Sequence, residues 1–545
     1  MNPQQNHIKQ RLETIVKTEL GHLDLDIELE IPNDPSHGDY ASNVAMKLAK
    51  VLKKNPLMIA QDIVTLLTPD DVIESVSVAR PGFINFRLTN ATLYDVLTDI
   101  LTKGAEYATQ PSRSQRVLIE FVSVNPTGAM HIGHARGAAA GDSLARLMRK
   151  AGYDVTKEFY VNDAGNQIDN LGLSLKARVL EHLALPFTLP EDGYYGPEIT
   201  RLAQTLIEIH GESIQSAPLS FFKEEGVRAL MQGIKDDLQS FGVVFDHYFS
   251  EQTLYETGSV EKTLETLKSK GFTYREDDAL WLKTSDFGDE KDRVLVKQDG
   301  TYTYIMPDIA YHHDKIKRGY DLLIDILGGD HHGYVSRLKA AISMLGERSD
   351  LLEVDLLQMV RVIQNGVEVK MSKRSGKALS LKDLIEEVGV DPIRYFFAMR
   401  SLNTHMDLDL DLALKQSNEN PVYYVQYAHA RIHRLLEKAQ HEKGIVPDAT
   451  HTAYQTLSGE KIETLLKVLA LYPETIQRSA QTRMVHKIPQ YAHKLATALH
   501  SVYSDEVILT DDPTFVIERL NLLKATQIVL KDALNLIGVD AKDTM

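Results

Sequence analysis

Val117-Leu118-Ile119-Glu120-Phe121-Val122 is a nearly continuous apolar run, the pattern of a strand buried on both faces of a parallel sheet. The loop Asn125-Pro126-Thr127-Gly128-Ala129-Met130 follows, and a helix is predicted over 131–151. A second strand fits 156–161, so the three elements make one βαβ unit. Toward the C-terminus, residues near 190–290 interrupt the alternation with more helical, charged sequence, read as an insertion. Strand-like segments resume at 293–296, 301–305 and 322–327. From 411 to 545 the chain reads as an all-α bundle, with helices expected at 421–439, 458–471, 473–481, 488–503 and 515–537. Toward the N-terminus, 1–110 reads as a small α+β module. It has an amphipathic helix over 8–20, a period-two strand over 23–29, and a turn at His37-Gly38-Asp39-Tyr40 leading into a helix over 42–52. Strands at 76–78 and 83–86 flank the turn Arg80-Pro81-Gly82, and 107–115 reads as a linker. The expected organisation is therefore multidomain α/β: 1–110, a parallel-sheet core over 111–410, and the bundle over 411–545.

The length of 545 residues suits three or four domains. The formal net charge of −16 argues against non-specific coating of DNA, yet leaves room for a local basic surface. The chain has no cysteine, which excludes disulfides, thiolate metal sites and a cysteine nucleophile and fits a reducing compartment. No run of about 18–20 apolar residues is present, so no membrane span is expected. The first 30 residues lack the apolar core of a signal peptide.

Two segments carry chemistry. In the first, His131-Ile132-Gly133-His134 lies where a buried strand turns into a helix. Backbone amides at a helix N-terminus favour phosphate, and histidines three apart share a face. Gly128 and Gly133 permit close approach of a ligand to the backbone. The alternative is a pair of surface histidines at a helix start. In the second, Lys370-Met371-Ser372-Lys373-Arg374-Ser375-Gly376-Lys377 concentrates cations among small residues, which suits a loop over pyrophosphate. Alone, it reads as a solvated basic loop.

Together they change the reading. His131-Ile-Gly-His134 and Lys370-Met-Ser-Lys373 resemble the two signature motifs of class I aminoacyl-tRNA synthetases. Val124-Asn-Pro-Thr-Gly-Ala-Met-His-Ile-Gly-His-Ala-Arg136, Tyr160-Val-Asn-Asp-Ala-Gly-Asn166, Asp299-Gly-Thr-Tyr-Thr-Tyr-Ile-Met-Pro-Asp308 and Gly329-Asp-His-His-Gly-Tyr334 resemble the arginyl-tRNA synthetase family of the bacterial type. The N-terminal blocks His37–Tyr40 and Pro81–Phe86 and the C-terminal block Asn420–Arg431 also fit, so the resemblance spans the chain.

The resemblance implies a Rossmann-type catalytic core, a helical anticodon-binding domain and an N-terminal module that contacts the tRNA elbow. It implies ATP-dependent ligation of L-arginine to tRNA(Arg) through an arginyl-adenylate, by a cytoplasmic monomer. His131, His134, Lys370 and Lys373 would be catalytic, with Gly128, Gly133, Met371 and Ser372 also meeting ATP. Mg²⁺ would arrive with ATP, held largely by phosphates and water. A guanidinium is best met by carboxylates and planar acceptors. The resemblance places these on Glu251, Asp308 and Tyr304, with Glu120 and Asn125 at the α-amino or carboxylate end and His331 nearby. For tRNA it points to Arg80, Phe83 and Asn85 in the N-terminal turn. In the bundle, Tyr424, Tyr427 and Arg431 fall at i, i+3 and i+7 on one helix face, where aromatic rings can stack unpaired bases; core packing is the competing reading. Arg478, Arg483, His486, Lys487 and Lys494 add a basic flank. The histidine-rich runs Asp330-His331-His332 and His312-His313-Asp314 lack the further aspartates that a metal cage would need, so no metal site is expected.

Overall fold

The computed structural model describes all residues except 1–2, 20, 22–24, 31, 33, 35–36, 370–378 and 505–506. Its centre is a five-stranded sheet in which every neighbouring pair is parallel. The strand order is Leu352–Leu357, Leu322–Gly328, Arg116–Glu120, Asp154–Val161, His247–Ser250. The chain starts in the middle, runs to one edge, then crosses back beyond the first strand. That reversal is the switch point of a Rossmann-type sheet, and ligands bind there, outside the carboxyl ends of the strands.

The helix Ile132–Lys150 covers one face and is buried over most of its length. Its small residues are needed for this. A Cβ added at Gly141 would stand 2.2 Å from the Phe121 ring, so only glycine lets the helix approach the first strand. The fully buried Arg136 clamps the same helix by donating to the carbonyls of Gln358, Ser401 and Thr404 at 2.7–3.0 Å. One continuous apolar core runs from this face into the C-terminal helices. The other face, the N-terminal module and the helices Asn166–His182, Pro197–His210 and Leu219–Ser240 each have their own core.

The structure corrects four expectations. The segment near 190–290 is not one insertion, because His247–Ser250 pairs with Asp154–Val161 as the edge strand of the central sheet. Beyond it, Thr273–Glu276, Ala279–Leu282 and Arg293–Val296 form a small antiparallel sheet. Residues 301–305 are not a strand: only Tyr302 makes a bridge, to Val296, and the helix Ile305–Lys317 begins at once. Pro307 lies in its first turn, where the missing N–H costs nothing. In the N-terminal module, 25–28 are irregular and the strand is Leu29–Glu30, while Tyr40–Ser42 is a strand ahead of the helix Val44–Leu52. The C-terminal helices are Pro421–Lys443, Glu460–Ala470, Tyr472–Gln481, Lys487–Tyr503 and Pro513–Leu536.

Candidate active site

The turn at the end of the first strand builds a donor site. His131 is the N-cap of the helix Ile132–Lys150. Its Nδ1 accepts from the Gly133 N–H at 3.1 Å, while the His134 Nδ1 accepts from the His131 N–H at 3.3 Å. This is a capping box made from imidazoles. The rings stack with centroids 3.5 Å apart. Burial lowers the His131 pKa, and burial with the neighbouring His131 takes His134 down to about 4. Both rings are therefore neutral near pH 7. With each Nδ1 occupied as an acceptor, the proton resides on Nε2, so both rings offer an Nε2–H donor beside the open amides of a helix N-terminus. At Gly133 a Cβ would crowd the His131 ring at 3.0 Å, whereas Gly128 faces open space. Lys370, Met371, Ser372 and Lys373 lie outside the described residues. The chain that follows them returns to this turn: His131 bridges Ser380, and the Leu381 N–H donates to the Met130 carbonyl at 2.8 Å.

Beside this turn, at the switch point, is a cavity of about 380 Å³. Glu120, Asn125, Glu251, Tyr304, Asp308 and His331 all line it. Glu251 follows the edge strand, held by its backbone N–H to the Val161 carbonyl at 3.0 Å. Asp308 is not at a strand end, as its sequence context suggested. It lies in the first turn of the helix Ile305–Lys317 and accepts a hydrogen bond from the Tyr334 hydroxyl. Tyr304 stands at the rim, 76% exposed. Asn125 donates to Gln167 Oε1 at 2.8 Å. Both Glu120 oxygens are engaged, by Lys315 Nζ at 2.5 Å and Ser123 Oγ at 2.8 Å.

The cavity is anionic. Burial, reinforced by the charge of Asp308, pushes the Glu251 carboxyl up to about 7. Burial also raises Asp308, opposed by the Tyr334 hydrogen bond. Neither carboxylate has an ion-pair partner among the described residues. Such a pocket gains most from a ligand that brings its own positive charge.

Three family models match in tandem. Residues 4–88 match "Arginyl tRNA synthetase N terminal domain", 96–393 match "tRNA synthetases class I (R), catalytic domain", and 425–545 match "DALR anticodon binding domain". The chain is 49% identical to arginine–tRNA ligase 1 of Halalkalibacterium halodurans over 95% of its own length and 94% of the relative's. The arginine–tRNA ligase of Bacillus subtilis gives the same identity and coverage. The chain belongs to the arginyl-tRNA synthetase family. The fold of the Thermus thermophilus arginyl-tRNA synthetase superposes with a TM-score of 0.79 at 23% identity, covering 99% of this chain and 100% of that one.

The remaining expected residues of this synthetase do not line the cavity. Arg80 is exposed in the turn before the strand Phe83–Leu88, and Gly82 packs there against Pro56, where a Cβ would clash at 2.9 Å. Phe83 opens that strand and Asn85 lies within it, buried, rather than in the turn. In the bundle, Tyr424 and Tyr427 are half-buried on the helix Pro421–Lys443. Tyr424 stacks on His493 at 4.9 Å, Tyr427 on Tyr423 at 6.0 Å, and the Arg431 guanidinium lies 4.2 Å from the Tyr503 ring centre. His500 contacts both tyrosine rings as well, at 4.8 Å from Tyr424 and 6.2 Å from Tyr427, so the packing reading holds for a large part of each ring. Arg483 does not join a free basic flank. It pairs with Asp355 at 2.9 Å and Glu353 at 3.4 Å on the sheet's edge strand.

Sequence reasoning missed Tyr160, Asn162, Gln167, Tyr311, His312, Asp325 and Tyr334, which complete the cavity wall. A signal for some of them was present. Asp308, Tyr311, His312 and Lys315 are spaced i, i+3, i+4 and i+7, one face of a helix. No described helix is long and apolar enough to cross a membrane.

Proposed function

We infer that the crevice performs both half-reactions of arginine charging, with Glu251 and Asp308 reading the guanidinium and the two imidazoles serving the phosphates. Family membership carries the activity itself: the chain is an arginine–tRNA ligase that consumes ATP in charging tRNA(Arg) for translation. In the first half-reaction the arginine carboxylate attacks the α-phosphorus of ATP, giving arginyl-adenylate and pyrophosphate. His131 and His134 donate from Nε2 to phosphate oxygens as charge develops there. Lys370 and Lys373 are assigned to the departing pyrophosphate on their sequence alone, with Met371 and Ser372 beside the nucleotide. Mg²⁺ travels with ATP and is held mainly by phosphates and water. In the second half-reaction the terminal ribose hydroxyl of tRNA attacks the acyl carbonyl and AMP leaves. Catalysis rests on positioning and charge stabilisation and needs no protein nucleophile.

The observation that carries this reading is the convergence of six residues from four segments of the chain on one cavity, whose Glu251 and Asp308 carboxylates meet only hydroxyl donors among the described residues and so suit a cation. Glu251 and Asp308 can take paired N–H bonds from the planar fork of arginine, which a lysine ammonium cannot reproduce. Asn125 and Glu120, on the loop and strand that lead into the histidine turn, are assigned to the α-amino and carboxylate groups. We assign tRNA contacts to Arg80 and Phe83 in the module 1–110, with the buried Asn85 supporting that strand from within, and to Tyr424, Tyr427 and Arg431 in the bundle 411–545. The catalytic unit is 111–410, and the enzyme acts as a cytoplasmic monomer. ATP–pyrophosphate exchange with each amino acid, with and without tRNA, tests the reading. Exchange supported equally by lysine or by a neutral amino acid would defeat it.

A further inference from the structure

Beneath the amino-acid cavity lies a charged group that the reaction as described does not use. Lys315 sits on the same helix as Asp308 and is wholly buried. Its ammonium donates to Glu120 Oε2 at 2.5 Å and Asp325 Oδ1 at 2.8 Å, and stands 4.4 Å from the Tyr311 ring centre. His312 meets the other Asp325 oxygen at 2.7 Å and the Asp308 carbonyl at 2.8 Å. Glu158, the next anion on the neighbouring strand, is taken by Arg318 at 2.6 and 2.8 Å. Four carboxylates, Glu120, Glu251, Asp308 and Asp325, border the cavity, and one internal cation, Lys315, bridges two of them.

We propose that Lys315 is a positioning residue for the amino-acid pocket: its ammonium fixes Glu120 and Asp325 as anions in place and leaves Glu251 and Asp308 as the carboxylates open to a cationic substrate. This rests on the pocket reading given above. Glu120, His312 and Asp325 bring ligand atoms within 4.8 Å of one another, an array that could also hold a metal ion, but the lysine already bonds both carboxylates. The groups facing Lys315 are Glu120 and Asp325 from two strands, Tyr311 and His312 from its own helix, and Glu158 and Asp308 at longer range. Burial pushes Glu120 up, and Lys315 is the strongest influence opposing it. For Asp325, burial is outweighed by Lys315 and His312, which hold the carboxyl below its usual range. Take the ammonium away, and a proton must replace it between two buried carboxylates. Glu120 then faces the substrate's amino end as a neutral acid.

The test is steady-state charging by Lys315→Met between pH 6 and 9, with arginine and ATP varied separately. The expected arginine KM is about tenfold or more above wild type at pH 7 and returns toward it as pH rises, because base removes the substitute proton. The ATP KM should stay within about twofold, and Lys315→Arg should restore much of the arginine affinity. An unaltered arginine KM, or a loss that is independent of pH or equal for both substrates, overturns the proposal. If the single variant does not fold, Lys315→Met/Asp325→Asn strands only one carboxylate and faces the same two outcomes. Glu251→Gln separates the two ideas. An arginine KM unmoved by that change removes the pocket reading, whereas a raised KM there with a silent Lys315→Met removes only the lysine proposal.

Discussion

Lowering the pH from 8 to 6 should weaken arginine binding about tenfold while ATP binding stays nearly constant. The cause is Glu251, whose carboxyl burial and Asp308 push up to about 7. A guanidinium needs the anion. Because this pKa is raised, the anion is the minority form below about pH 7 and the majority form above it. The ionised fraction is roughly 0.9 at pH 8, 0.5 at pH 7 and 0.1 at pH 6. Apparent affinity scales with the competent fraction, so the dissociation constant grows by the same factor. Arginine should then expel about half a proton from Glu251 at pH 7 and nearly a whole one at pH 6. Asp308 shares the pocket, so the titration belongs to the pair and the observed midpoint is a property of both. Calorimetric binding of arginine at the three pH values, in two buffers of different ionisation enthalpy, reads the affinity and the proton count together. Glu251→Gln should flatten both. A dissociation constant that is constant between pH 6 and 8, or a wild-type profile that survives in Glu251→Gln, would refute the reasoning.

Asp308→Asn points a donor at the guanidinium's donors; removing one partner of a buried charge pair costs about 3–5 kcal/mol, so arginine KM should rise roughly a hundredfold or more in charging assays, with ATP KM much less affected. His134→Ala removes both an Nε2–H donor and half of the capping box, and should slow pyrophosphate exchange by about 10²–10³ while calorimetry still detects arginine. Tyr427→Ala or Arg431→Ala should weaken tRNA binding by about 1–3 kcal/mol per lost stacking contact and leave exchange substrates alone; a variant whose bundle melts early with unchanged tRNA affinity would assign that face to packing. Gly141→Ala drives a methyl into the Phe121 ring and should cost about 1–3 kcal/mol, read as a lower thermal midpoint.

The sequence revealed the fold through its periodicities and the site through its motifs, and it failed where tertiary context decides. The buried strand ahead of Asn125 and the helix after His131 were legible because apolar run and small-residue run are local signals. His247–Ser250 was not, because four residues between helices become a strand only when the sheet edge beside them is open. Residues 301–305 carry the β-branched and aromatic character of a strand, yet Pro307 and the helical face that follows commit the chain to a helix at Ile305. That error moved Asp308 to the wrong element, although it lines the same cavity as Glu251. Lys315 was invisible for a different reason. A lysine in a charged helix reads as solvated, and only the approach of Glu120 and Asp325 from two strands makes it a buried counter-ion.

The two halves of the crevice run on opposite electrostatics, and pH tells them apart. The phosphate side presents neutral donors. Burial holds His131 toward its neutral form, and burial plus its neighbour takes His134 to about 4, so the His134 ring keeps its charge state while Glu251 titrates near 7. The capping box holds each Nδ1 as an acceptor and so keeps the ring proton on Nε2 as a donor. A neutral donor also spares the acidic pocket from an internal counter-ion that would compete with the substrate's guanidinium. On the amino-acid side the same burial works in reverse, leaving carboxylates that a cation must complete. Between pH 6 and 8, therefore, proton-linked changes in the first half-reaction should enter through arginine affinity, and the response of the nucleotide to pH should follow its own phosphates rather than the protein.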